Sequence, residues 1–151
     1  MKVKPIDVVT SARKLIGTPY QHQGRLPGIA CDCIGLAILV CRDLGLGDFD
    51  FNAYSRSPDG SLVREIEKVC TPLAKVTEGS LVIFAMRKFP QHCAIASLSE
   101  TKDFNIIHAY QNSKAVREHQ LIPWWQEKIH SVYALPNIDY SGAKEFSCPI
   151  I

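Results

Sequence analysis

The chain has 151 residues, 46% of them hydrophobic and 21% charged, with a formal net charge of +2. These are the proportions of an ordinary soluble globular protein, long enough to form one domain around a core of its own. Scattered rather than clustered basic residues argue against nucleic acid as a partner, and no apolar run approaches the ~20 residues needed to span a bilayer.

In chain order, Met1 to Asp7 lacks the apolar core and cleavage site of a signal peptide, so synthesis and folding in the cytoplasm are expected. Asp7 to Ile16 places Val8, Val9, Ala12, Leu15 and Ile16 on one helical face, and Gly17 stops the helix. Thr18-Pro19-Tyr20-Gln21-His22-Gln23-Gly24 cannot continue it and reads as an ordered loop. Pro27 and Gly28 mark a turn between Arg25 and Ala30. Asp32-Cys33-Ile34-Gly35 then leads into an apolar run through Val40, with no proline before Pro58. This predicts a helix that begins at or just before Cys33 and ends near Gly45 and Gly47. After a polar, aromatic connection with Tyr54, Pro58 and Asp59, a third helix is expected from Ser61 to Cys70. Leu62, Ile66 and Val69 form its inner face, and Thr71-Pro72 closes it.

From Glu78 the pattern changes. Ser80 to Met86 reads as a buried strand, followed by strands at His92 to Ala96, Phe104 to Tyr110 and Val116 to Leu121. Pro123 to Lys128 predicts one turn of helix, and Ser131 to Leu135 a last strand. Helices first and an antiparallel meander afterwards define an α+β domain, with N-terminal helices packed on the sheet. Residues 1–136 are read as that single domain. Residues 137–151 are read as a C-terminal tail, whose apolar end from Phe146 to Ile151 suits docking on a partner.

Six cysteines stand at positions 31, 33, 41, 70, 93 and 148. With no secretory signal and an adequate core they read as free thiols, most of them small buried apolar residues. Cys31, Cys33, His92 and Cys93 are potential zinc ligands. Their Cys-X-Cys spacing is not that of the usual structural zinc hairpin, and no second thiol pair follows. No metal or other cofactor is therefore expected.

Cys41 and Cys70 read as core. Cys33 differs, because a thiol at a helix N-terminus meets unpaired backbone N–H groups and the positive end of the dipole, which favour the thiolate. Cys31 precedes the helix and lacks that field. An activated cysteine also needs a base, and the base an orienting partner. His92 opens one predicted strand and His108 lies near the end of the next. In an antiparallel hairpin they stand side by side, with His92 to take the thiol proton and His108 to hold its ring. The Cys33 N–H and the Tyr20 hydroxyl would meet an acyl-transfer oxyanion. Asp32 caps the helix. His22, His119 and His130 have no partner legible in the sequence and read as surface or packing residues. Trp124-Trp125 reads as core and lid rather than as a carbohydrate platform.

The ordered set Gly17-Thr18-Pro19-Tyr20, Asp32-Cys33-Ile34-Gly35-Leu36, Glu78-Gly79-Ser80-Leu81-Val82-Ile83-Phe84, His92-Cys93-Ala94-Ile95 and Ile107-His108-Ala109 resembles the successive motifs of the NlpC-type cell-wall peptidases. That family has the papain-like cysteine peptidase fold. The likeness runs from about Asp7 to Tyr110. Tyr20 to Gly24 and Gly28 to Cys31 resemble the branch encoded with phage tail genes.

The resemblance implies Cys33 as nucleophile, His92 as base and His108 as orienting residue. It further implies Tyr20 as a lining of the nucleophile's site and Asp32 as a contact for the free amine of a stem peptide. The implied substrates are peptidoglycan peptides, usually cut between D-glutamate and a diamino acid. The implied partners are phage tail proteins, which would carry the protein on the virion to the host cell wall. Ile34 departs from the serine that many members have after the nucleophile. No separate cell-wall-binding domain is seen, so targeting would come from a partner. Two other readings stay open: a tail assembly component that keeps the fold without activity, and an acyl-transferring enzyme on the same scaffold.

Overall fold

The computed structural model describes residues 2–51, 54–57 and 59–147. Pro58, Cys148 and the last residues of the tail lie outside the described residues.

The chain begins with α1 (Pro5–Arg13), which has Pro5 in its first turn and Asp7 accepting the Lys4 N–H at 2.8 Å. A proline is tolerated there because that N–H has no helical partner. The helix ends before Ile16, and Gly17 adopts a φ of +93°. The segment read as a turn holds a small hairpin, β1 (Arg25–Leu26) and β2 (Ala30–Cys31). Next come α2 (Cys33–Asp43) and α3 (Ser61–Glu67). Helix α3 is shorter than expected, because Thr71-Pro72 does more than close it. Those residues form β3 (Thr71–Leu73), paired with residues 132–134 of the last strand. Its proline is accommodated because β3 lies at the edge of the sheet.

The remaining strands are β4 (Leu81–Ala85), β5 (Pro90–Leu98), β6 (Phe104–Tyr110), β7 (Ala115–Gln120) and β8 (Ile129–Ala134), with the short helix α4 (Pro123–Gln126) before β8. The sheet is antiparallel in the order β3-β8-β4-β5-β6-β7, which corrects the expected simple meander. After β7 the chain crosses back and inserts β8 between β3 and β4. The physical reason lies in β4, whose first four residues are buried. An all-apolar strand left at a sheet edge would expose an unpaired, sticky ladder, and β8 covers it.

Both faces of the sheet are packed. On one, α1 and α2 lay Val8, Leu36, Ile38 and Val40 against Leu81, Ile83, Ile95 and Ile107. On the other, Val82, Phe84, Ala94 and Ile106 pack with Trp125 and Val132. The alternation along β4 and β5 follows the two-residue period of a pleated strand. Gly79, at φ +79°, precedes β4 in a close approach where a Cβ would meet the Pro5 backbone. The described part of the tail lies on the domain. Asn137 donates to the Leu46 carbonyl, Tyr140 to the Gly79 carbonyl and the Phe146 N–H to the Val76 carbonyl. Among the described residues no helix is long and apolar enough to cross a membrane.

Candidate active site

Helix α2 starts at Cys33 because Asp32 caps it, with Oδ1 accepting the Gly35 N–H at 2.8 Å. The same carboxylate accepts from Arg25 Nη1 at 3.0 Å, the Gln23 N–H at 2.7 Å and the Tyr54 hydroxyl at 2.6 Å. Arg25 also binds Asp50, which in turn binds Arg42. Gly35 is required here. A Cβ would collide with the Gly24 carbonyl oxygen and crowd Arg25 and Asp32. Asp32 lines the cavity beside Cys33, yet it is only 2% exposed and accepts four hydrogen bonds. To receive a substrate amine it would have to give one of them up.

Cys33 is half-buried at the first helical position, with Sγ 4.0 Å from the Gln91 carbonyl oxygen at the start of β5. As the first residue of α2, it has no helical partner for its own N–H. Its thiol is held well below the ordinary value, at about 5. The largest cause is a hydrogen bond from the Cys93 thiol. Burial opposes it, and the hydrogen bond and charge of His92 reinforce it. Cys93, the donor in this pair, is pushed up. Burial raises Cys31, Cys41 and Cys70 to about 12. Cys31 is fully buried and so is not a rival nucleophile.

His92 and His108 sit on the face of the sheet that carries Phe84 and Trp125. His92 Nε2 lies 2.7 Å from His108 Nδ1, the pairing expected of an antiparallel hairpin. The His92 ring is among the groups that lower the Cys33 thiol, and with its Nε2 against His108 the nitrogen left for the thiol is Nδ1. His108 is held at about 2, chiefly by burial and then by the neighbouring His92 and His119, so it is neutral at physiological pH. Tyr20 also lines the cavity, and burial together with the charges of Cys33 and Asp32 raises its hydroxyl to about 12. It remains a proton donor there. The cavity, about 120 Å³, is also lined by Tyr54 and Arg56. Among the described residues no group of three or more His, Cys, Asp or Glu is arranged to hold a metal ion.

Two sequence readings change. His119 is not without a partner, since its Nε2 lies 2.7 Å from His108 Nε2. His22 lines the cavity, edge-on to the Tyr54 ring at 5.5 Å. The signal for His119 was the short turn between β6 and β7. With Tyr110 opposite Ala115, His108 falls opposite Arg117 and His119 lies two residues further on the same face. His130 is exposed on β8, as expected of a surface residue. Trp125 is buried against His92, His108 and His119, whereas Trp124 is exposed with Lys128 Nζ 3.8 Å from its ring centroid.

A thiol at the N-terminus of a helix, packed on an antiparallel sheet that carries a histidine pair, is the arrangement of the papain-like fold. Solved structures share the fold. The NlpC/p60 domain of the peptidoglycan hydrolase SagA is 22% identical, with a TM-score of 0.61, and the match covers 88% of this chain and all of that one. An NlpC/p60 family protein from Bacillus cereus is 19% identical with a TM-score of 0.63, covering 90% of this chain. A lipoprotein-like protein of the same family from Staphylococcus aureus is 18% identical with a TM-score of 0.59, again covering 90%. The chain spans only 41% and 43% of the length of the latter two. No family model and no curated protein matches the sequence. The likeness is one of fold.

Proposed function

We propose that the chain is a cysteine peptidase that hydrolyses amide bonds in peptidoglycan stem peptides. The observation that carries the reading is Cys33 at the start of α2, lining one cavity with a His92 ring that lowers its thiol and whose Nε2 is 2.7 Å from His108. In this reading the Cys33 thiolate attacks the amide carbonyl carbon. The oxyanion forms against the Cys33 N–H and the Tyr20 hydroxyl. His92, doubly protonated after taking the thiol proton, gives that proton to the leaving amine. A thioester remains. His92 Nδ1 then takes a proton from water, whose oxygen attacks the thioester and releases the carboxylic acid, and the thiolate returns.

Peptidoglycan as substrate is supported by the motif resemblance and by the fold shared with the SagA hydrolase domain. Delivery on a phage tail to the host wall is supported by the resemblance of Tyr20 to Gly24 and Gly28 to Cys31 to the tail-encoded branch. Asp32 contributes the shape and charge of the cavity wall beside the nucleophile. The test is to incubate the purified protein and its Cys33→Ala variant with muropeptides and follow products by mass spectrometry. New amine and carboxyl termini from the wild type alone support the reading. Equal turnover by both would refute it.

A further inference from the structure

Beyond the pair named above, the histidines continue outward. His92 Nε2 meets His108 Nδ1 at 2.7 Å, His108 Nε2 meets His119 Nε2 at 2.7 Å, and His119 Nδ1 lies 3.0 Å from the Gln120 carbonyl oxygen. We propose that His119 is a positioning residue, which passes the polarity of the Gln120 carbonyl through His108 and so sets the tautomer of His92. The proposal rests on the peptidase reading for its catalytic consequence but not for its geometry.

The direction follows from hydrogen-bond chemistry. A carbonyl oxygen only accepts, so His119 Nδ1 must carry the proton. In the neutral ring His119 Nε2 is then an acceptor, and His108 Nε2 must donate to it. His108 is buried and neutral, which leaves its Nδ1 with a lone pair. That lone pair accepts from His92 Nε2–H. The last nitrogen, His92 Nδ1, is therefore unprotonated toward Cys33, as a base for a thiol must be. No other assignment of protons to three neutral rings satisfies all three contacts. The reverse order would point a lone pair at the Gln120 carbonyl.

The surroundings favour neutral rings. Phe84 packs on His92, Tyr110 stacks on His108 at 5.3 Å, and Trp125 from α4 contacts all three. The charged residue on this face of β7 is Arg117, which is exposed opposite His108. Glu118 points to the other face, where it binds Ser97 and Arg13. Among the described residues none of the three rings hydrogen-bonds or ion-pairs with a carboxylate. His92 is thus oriented by a chain of dipoles rather than by a charge. Only the innermost two rings were legible in the motif resemblance.

The test uses the full chain and reads the tautomer directly. In the Cys33→Ala protein, ¹⁵N NMR above pH 8 should show His92 as the Nε2–H tautomer, with Nδ1 bare. His119→Leu in that background should turn this into a mixture. His119→Gln, whose side-chain oxygen accepts from His108, should restore it. With Cys33 present, His119→Leu should lower kcat on muropeptides about ten- to a hundredfold with little change in KM, and His119→Gln should recover most of it. Finding His92 protonated on Nδ1 in the Cys33→Ala protein would overturn the proposal, even if His119→Leu failed to fold. So would an unchanged tautomer and kcat in a folded His119→Leu. The predicted tautomers together with no hydrolysis by any form would bring down the peptidase reading and leave the relay standing.

Discussion

Two walls meet at Cys33, and they are built on opposite electrostatic plans. On the loop side, Asp32, Arg25, Asp50 and Arg42 alternate in charge, and the buried Asp32 carboxylate accepts four hydrogen bonds. On the sheet side stand His92, His108 and His119, linked by single contacts under Trp125. A carboxylate that accepts four hydrogen bonds has its lone pairs committed, so it fixes position. A row of imidazoles committed at all but one nitrogen keeps that one for chemistry. The first wall holds the helix N-terminus in place, and in the proposed reaction the second handles the proton.

Mutations should therefore separate. The largest effect belongs to the sheet wall and its nucleophile. Cys33→Ala or His92→Ala should lower muropeptide hydrolysis by at least about a thousandfold while the fold is kept. Near-native turnover by His92→Ala would break the comparison. On the loop wall, Asp32→Asn keeps a capping side chain but leaves Arg25 without its buried charge partner. Because Arg25 keeps its pair with Asp50 at 3.0 Å, this should cost about 1–3 kcal/mol in denaturant unfolding. In the folded fraction it should move the Cys33 thiol further down, since the Asp32 charge opposes the thiolate. A rise instead would mean that Asp32 acts on the thiol otherwise than through its charge. Gly35→Ala, forced against the Gly24 carbonyl and Arg25, should cost about 1–3 kcal/mol by the same assay.

The smallest effect concerns thiols in neither wall. Cys31, Cys41 and Cys70 are raised to about 12. Their burial stabilises the fold fully below their unfolded value near ~8.5, and this contribution is lost as pH rises toward 12. Cys33 runs the other way. Its contribution is complete above the unfolded value and is lost as pH falls through about 5. Cys41→Val should flatten the alkaline decline by about 1 kcal/mol between pH 8 and about 9.3, read from thermal unfolding.

Legibility in the sequence followed the range of the interactions. Helix α2 and its cap were readable because Asp32, Gly35 and the apolar run are local. The same is true of β6, where the expected Phe104 to Tyr110 is the observed strand. The His92–His108 contact was readable because a tight hairpin converts sequence spacing into adjacency. What failed was non-local. The insertion of β8 beside β4 is decided by burial of β4 on both sides. The edge strand β3 was hidden by its proline, and the bond of Arg25 to Asp32 by the fold of a loop. His119 lay between the two cases, since its contact with His108 follows once the β6–β7 register is known.

The central claim is that Cys33 is an activated thiol on a histidine base, and its pH-dependent alkylation tests this most directly. Iodoacetamide labelling, quantified on the Cys33 peptide by mass spectrometry, should rise with pH through a midpoint of about 5 and show little labelling of Cys31, Cys41 and Cys70 in the native protein. A midpoint at the ordinary free-thiol value of about 8.5 would contradict it.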